Sequence, residues 1–159
     1  MKKSPLQLDA YYFAKVNVEV NPQFKQTKDM TKSGTMPVVD IQFAQANNAG
    51  HKWQVSVTAK NAPDTIAADP CIYTIQAVGF VTVDPSVPDD KMMKLVAVNA
   101  PALIYPAIRE MLQSIASRGP FPGRHLPSVM FTDLQLTKAE APAPTNRIAA
   151  QRKQAHAKE

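Results

Sequence analysis

Alternation of apolar and polar positions governs the first half of the chain. From Leu8 to Val20, Leu8, Ala10, Tyr12, Ala14, Val16, Val18 and Val20 stand against Asp9, Tyr11, Lys15, Asn17 and Glu19. A period of two over this length predicts a long strand with one dry and one wet face. Val38–Gln45 repeats the pattern, with Val39, Ile41 and Phe43 opposed to Asp40 and Gln42, and Lys52–Ala59 carries Trp53, Val55 and Val57 on one side. Asn47, Asn48 and Gly50 supply turn chemistry between these two, so they read as a hairpin. A loop with Pro63 and Pro70 precedes the last strand, Cys71–Val83, both of whose faces are partly apolar. Gly79 within it marks a bulge or a close backbone approach. Between Val20 and Val38 runs a polar crossover with Pro22, Gly34 and Pro37, too long for a tight hairpin and expected to pass over the sheet.

Beyond Asp84–Pro88 the period becomes helical. Asp89–Val98 predicts a short helix with acids at its start, and Asn99 caps a longer one whose early turns tolerate Pro101. Ile104, Ile108, Met111 and Ile115 recur on one face, widened by Leu112 and Ala116. Pro106 removes a backbone hydrogen bond and clashes with the preceding turn, a cost of about 3 kcal/mol, so the regular helix is expected to begin near Tyr105. Gly119 is expected to end it in the left-handed conformation, with Arg118 at the negative pole and Pro120 blocking continuation. A loop with Pro120, Pro122 and Pro127 follows, then a second helix over Phe131–Ala141 with Leu134 and Leu136 apolar, ended by Pro142 and Pro144. Four strands followed by helices predict an α+β fold on an antiparallel sheet.

The 159 residues suit one domain with a real core. Residues 1–5 are expected to be a flexible N-terminus, 6–141 the domain and 142–159 a basic disordered tail without an apolar face. Charge reinforces that division. Lys2 and Lys3 contribute +2 and residues 142–159 contribute +3, which together are the whole net charge of +5 and leave the body neutral. Such termini, lacking a nucleic-acid reading motif, read as solvated tails. The apolar runs look far short of a membrane span, and Gln7 and Asp9 interrupt any signal-peptide stretch, so the expected location is the cytoplasm.

Chemistry is sparse. Cys71 is alone, which excludes an internal disulfide and reads as a small buried apolar group. His51, His125 and His156 are scattered without metal-ligand spacing, and no phosphate loop, nucleophile elbow or catalytic carboxylate pair is present. Neither an enzyme nor a cofactor is expected.

Three segments carry a resemblance: Leu103-Ile104-Tyr105-Pro106-Ala107-Ile108-Arg109-Glu110, Ser117-Arg118-Gly119-Pro120-Phe121-Pro122, and Leu126-Pro127-Ser128-Val129-Met130-Phe131. Together they resemble the bacterial SecB export chaperones, and the match includes the helix proline that local rules disfavour. The resemblance extends upstream through the Gly79-Phe80 strand, the Trp53 hairpin and the first strand. It implies a four-stranded antiparallel sheet with a long and a shorter helix on one side, assembled as a homotetramer, a dimer of dimers. It also implies an ATP-independent holdase that passes unfolded preproteins to the SecA export motor. Clients would lie along an apolar groove, and by position the resemblance assigns to it Met36 and Pro37, Phe121, Pro122 and Leu126, and Phe131 and Leu134. A groove of Met, Phe and Pro accepts many side chains.

Departures from the family pattern bear on which client is served. Of the carboxylates through which such proteins dock SecA, Glu19 retains one by position, while Lys15 and Tyr73 occupy two others; a reversed charge weakens docking on an electropositive partner. Thr35 or Met36 stands where the family carries a crossover tryptophan, and Val129-Met130-Phe131 replaces Val-Asn-Phe. A chaperone devoted to one client, such as an antitoxin, is the alternative, and a nucleic-acid-associated adaptor using the basic tail is the alternative from another class.

Overall fold

The computed structural model describes residues 3–24, 36–46, 50–120 and 125–132. Within them lie four strands, β1 (Leu6–Val20), β2 (Val38–Gln45), β3 (Lys52–Lys60) and β4 (Cys71–Val83), one α-helix, α1 (Asp89–Ala116), and a short 3-10 helix (Ile66–Ala68) between β3 and β4. The strands form one antiparallel sheet in the order β1-β4-β3-β2, so β1 and β2 are its edges. α1 crosses one face of the sheet against β4, β1 and β3. The α+β layout, with a four-stranded antiparallel sheet and a long helix on one side, is the one expected. The shorter second helix falls, beyond Thr132, outside the described residues, and Phe131 and Thr132 are not helical.

The core is the helix-facing side of the sheet. Val55, Val57 and Ala59 of β3 and Tyr73, Ile75, Ala77, Val81 and Val83 of β4 are all 2 % exposed or less. β1 departs from simple alternation. Its pairing with β4 shifts between Leu8 and Ala10 and again between Phe13 and Lys15. Each bulge inserts one residue and moves the following side chains to the other face. Leu6, Leu8, Tyr11, Phe13, Val16, Val18 and Val20 therefore oppose the buried row of β4, and Ala10 and Tyr12 turn to the outer face with Lys15 and Glu19. The expected dry face of Leu8 through Val20 is corrected accordingly: periodicity alone does not reveal that Asp9 and Ala14 are extra residues.

α1 is one continuous helix of 28 residues containing both Pro101 and Pro106. The expected break before Asn99 is absent, since the Asn99 side chain donates to the Leu95 carbonyl at 2.8 Å within the helix instead of capping a new one. Burial outweighs the prolines: Met92, Val96, Ala100, Ile104, Ile108 and Leu112 form an unbroken stripe, each 4 % exposed or less, against the sheet. The helix is long and apolar enough to cross a bilayer by length and composition, which corrects the reading of short apolar runs, but here it is the core helix of an α+β domain. Its end also differs from expectation. Ser117 stays right-handed (φ −65°, ψ −17°), Gly119 is not left-handed, and its N–H donates to Ala116 O at 3.1 Å. Gly79 marks a close approach of helix to strand. A Cβ there would lie 2.5 Å from Ile104 Cδ1 and 3.2 Å from Leu8 Cδ1.

Buried amides close the lower corner of the sheet. Asn61, one residue past β3, accepts from the Tyr73 N–H (2.7 Å) and donates to Cys71 O (3.0 Å) and Asp69 Oδ2 (2.9 Å), extending the β3–β4 ladder with a side chain. Asn21, one residue past β1, donates to Ile66 O (2.9 Å) and Asp69 O (2.8 Å), while its N–H donates to Pro70 O (3.0 Å). The exit of β1 is thereby anchored to the β3–β4 loop.

A candidate client groove beside the first strand

At that anchored corner the end of α1 stands away from the end of β1 and leaves a cavity of about 140 Å³. Val18 and Val20 of β1, Pro70 and Cys71 at the entry to β4, and Ile115, Ala116 and Pro120 supply apolar walls, with Glu19, Arg118 and Gly119 completing the lining. Each wall is positioned by a local cause. Asn21 fixes where β1 ends; the turn bonds of Ser117, Arg118 and Gly119 to Gln113, Ile115 and Ala116 fix where the helix ends. Cys71 is 6 % exposed, a small apolar wall residue as its isolation implied.

The cavity opens onto an exposed apolar strip. Val20 is 52 % exposed, and Val16 (42 %) and Tyr11 (48 %) continue along the helix-facing side of the edge strand. α1 covers the centre of the sheet and leaves this margin bare among the described residues. Edge strands present unpaired N–H and C=O groups beside such a margin, the chemistry by which an extended chain of any sequence is held.

The residues assigned by resemblance do not converge here. Leu126 (1 % exposed) and Phe131 (6 %) are core residues: Arg109 Nε donates to Leu126 O at 2.9 Å, Tyr105 Oη donates to Pro127 O at 3.0 Å, and Phe131 packs edge-on to Tyr105 with centroids 5.9 Å apart. The segment after the helix folds back onto α1, so both side chains are closed by their own chain. Met36 is 59 % exposed and Pro37 is buried, both at the start of β2, about 14 Å across the sheet from β1. Phe121, Pro122 and Leu134 lie outside the described residues. Of the docking positions, Lys15 and Glu19 share the solvent face of the sheet, whereas Tyr73 opposes Val18 and is 2 % exposed. Tyr73 therefore belongs to the core.

Sequence reasoning missed Val20, Val16, Tyr11, Ile115 and Arg118. Tyr11 was hidden by the bulges, Val16 and Val20 were read on the correct apolar face but without a sign that the helix leaves them exposed, and the last two had only one signal, their place at the end of a helix that leads into a proline-rich loop.

Burial raises the Tyr105 hydroxyl above its ordinary value, opposed by the nearby Arg109 guanidinium. Among the described residues no three His, Cys, Asp or Glu side chains gather into a metal-binding group. The arrangement offers apolar contact and backbone hydrogen bonding.

A family model described as preprotein translocase subunit SecB matches residues 2–141. The chain belongs to the SecB family. Chaperone function accompanies that membership. Among solved structures, a SecB-like chaperone from Mycobacterium tuberculosis, in complex with a ChAD peptide from the HigA1 antitoxin, has a similar fold. Its TM-score is 0.53 at 14 % identity, over 79 % of this chain and 91 % of that one. A protein of unknown function from Streptococcus agalactiae gives a TM-score of 0.45 at 12 % identity, over 77 % and 97 % of the two chains. No curated protein matches the sequence. SecB membership fits the geometry, because the cavity lies where both the crossover after β1 and the connection after α1 depart.

Proposed function

We propose that this SecB-family protein is an ATP-independent holdase that captures unfolded polypeptides in the cytoplasm, with no cofactor and no catalytic step. The observation that carries the reading is the apolar cavity between β1 and α1, continuous with the exposed strip of Val20, Val16 and Tyr11. A client side chain fills the cavity while its backbone runs along the strip. Met36, Phe121, Pro122 and Leu134 remain proposed outer contacts, while Leu126 and Phe131 hold the returning segment on α1 at Arg109 and Tyr105.

The first reading of the client is a preprotein for Sec-dependent export, supported by the family description. The second is a single dedicated client such as an antitoxin. Lys15 on the solvent face, where the resemblance places a docking carboxylate, favours it, as does the antitoxin peptide held by the mycobacterial neighbour. Assembly as a homotetramer is proposed with it. The exposed Leu103, 46 % accessible, beside Ala102 and Pro106 on the outer side of α1, supports a further contact between copies.

The test is aggregation of a denatured client followed by light scattering without nucleotide. Wild-type protein is expected to suppress aggregation, and Val20→Glu to suppress it several-fold less at equal ratio, with an unchanged urea midpoint and molar mass. Wild-type protein that leaves aggregation unaltered at every ratio contradicts the reading.

A further inference from the structure

The face of the sheet turned away from α1 is mainly polar, apart from Val38, Ala44 and Ile72 at its periphery. Gln7, Lys15, Asn17 and Glu19 of β1, Thr74, Gln76 and Thr82 of β4, and Lys52, Gln54, Ser56, Thr58 and Lys60 of β3 all stand on it. In their midst Tyr12 and Phe80 stack with ring centroids 6.2 Å apart and planes at 30°. They are 50 % and 40 % exposed, and Val78, opposite Tyr12 in register, is only 5 % exposed. The β1 bulge at Asp9 creates this patch by turning Ala10 and Tyr12 outward beside Phe80 and Val78. Two large stacked aromatics on a solvent face are an apolar platform without a covering element among the described residues.

The charges around the patch say what covers it. Asp40 is neutralised by Lys60 at 2.9 Å, and Asp9 accepts from Thr82 Oγ1 at 2.6 Å. Glu19 accepts from Asn17 Nδ2 at 3.1 Å at the far end of β1. Lys15 and Lys52 form no ion pair among the described residues, and they flank the platform on opposite sides. Lys52 lies in the row before Phe80, and Lys15 in the row after Tyr12. Six residues of β3, from Lys52 to Thr58, separate these rows, about 20 Å. An extended peptide covers that distance in about six residues.

We propose that this outer face docks an acidic protein segment in extended form, with an aromatic or large aliphatic side chain on the Tyr12–Phe80 platform and carboxylates about six positions apart reaching Lys15 and Lys52. The surface is distinct from the client groove, which lies on the other side of the sheet, and the proposal does not rest on the holdase reading. A single-stranded nucleic acid is the poorer occupant. The whole face balances Lys15, Lys52 and Lys60 against Asp9, Asp40 and Glu19, so a continuous phosphate backbone meets as many carboxylates as lysines.

The test measures fluorescence anisotropy on the full chain with two labelled peptides. One carries a phenylalanine between glutamates spaced about six positions apart, and the other has lysines in place of the glutamates. The acidic peptide is expected to bind about tenfold more tightly than the basic one. The double variant Lys15→Glu/Lys52→Glu, which leaves the packing untouched, is expected to invert that preference, and Tyr12→Ser/Phe80→Ser to weaken acidic-peptide binding about tenfold. The basic tail is present in every variant, so its attraction cancels between wild type and variant, and the change on substitution is what reads the surface. Aggregation suppression is expected to be unchanged in both variants, which separates failure here from failure of the groove. Equal binding of the two peptides, or a preference that survives charge reversal, overturns the proposal. So does a labelled oligothymidylate that binds more tightly than the acidic peptide and loses this with Tyr12→Ser/Phe80→Ser.

Discussion

Tyr105 carries two structural duties on one side chain, filling the core at 3 % exposure and donating to Pro127 O to hold the returning segment on the helix. Burial raises its pKa, so the folded state holds the phenolic proton more tightly than the unfolded chain does. Stability from this group is complete below the ordinary tyrosine value near pH 10 and is lost as pH rises through it toward the folded value. Wild-type protein is expected to exceed Tyr105→Phe by about 1 kcal/mol in urea unfolding at neutral pH. That advantage is expected to shrink above about pH 10. An advantage constant across that range contradicts the account. The role of Leu126 at this joint was half legible in the sequence. Its apolar character was plain, but a motif that places a residue in a loop does not say whether the loop turns outward or folds back.

At the scale of elements, the crossing of α1 over β4 at Gly79 decides how closely the two layers meet. Ile104 is fully buried and has no room to move aside from a Cβ that would sit 2.5 Å away. Gly79→Ala is therefore expected to lower stability by about 1–3 kcal/mol in urea unfolding, and Ile104→Val in the same chain to recover part of the loss. A neutral Gly79→Ala contradicts this packing. Strand identities and the close approach at Gly79 were readable because apolar periodicity and a lone strand glycine have direct physical meanings. Two features were not. The bulges of β1 depend on pairing with a partner about 65 residues away. The continuity of α1 through Pro101 and Pro106 depends on a buried stripe whose tertiary packing overrides a local rule.

For the molecule as a whole, one layer of sheet and one of helix leave two separate surfaces. On the helix side, incomplete cover of β1 leaves an apolar margin with a cavity at its end; on the solvent side, the bulge at Asp9 leaves an aromatic platform between two lysines. The fold was recoverable from the family segments and the element order, while the surfaces were not: the platform depends on the phase of β1, and the groove on how much of β1 the helix leaves exposed. The groove is the central claim, and a photoreactive residue placed at Val20, compared with one at Ser86 in the turn after β4, away from both surfaces, examines it directly. Irradiation with an unfolded client is expected to yield crosslinks from position 20 and few from position 86. Equal yields from both positions, or crosslinks from position 86 alone, contradict the groove.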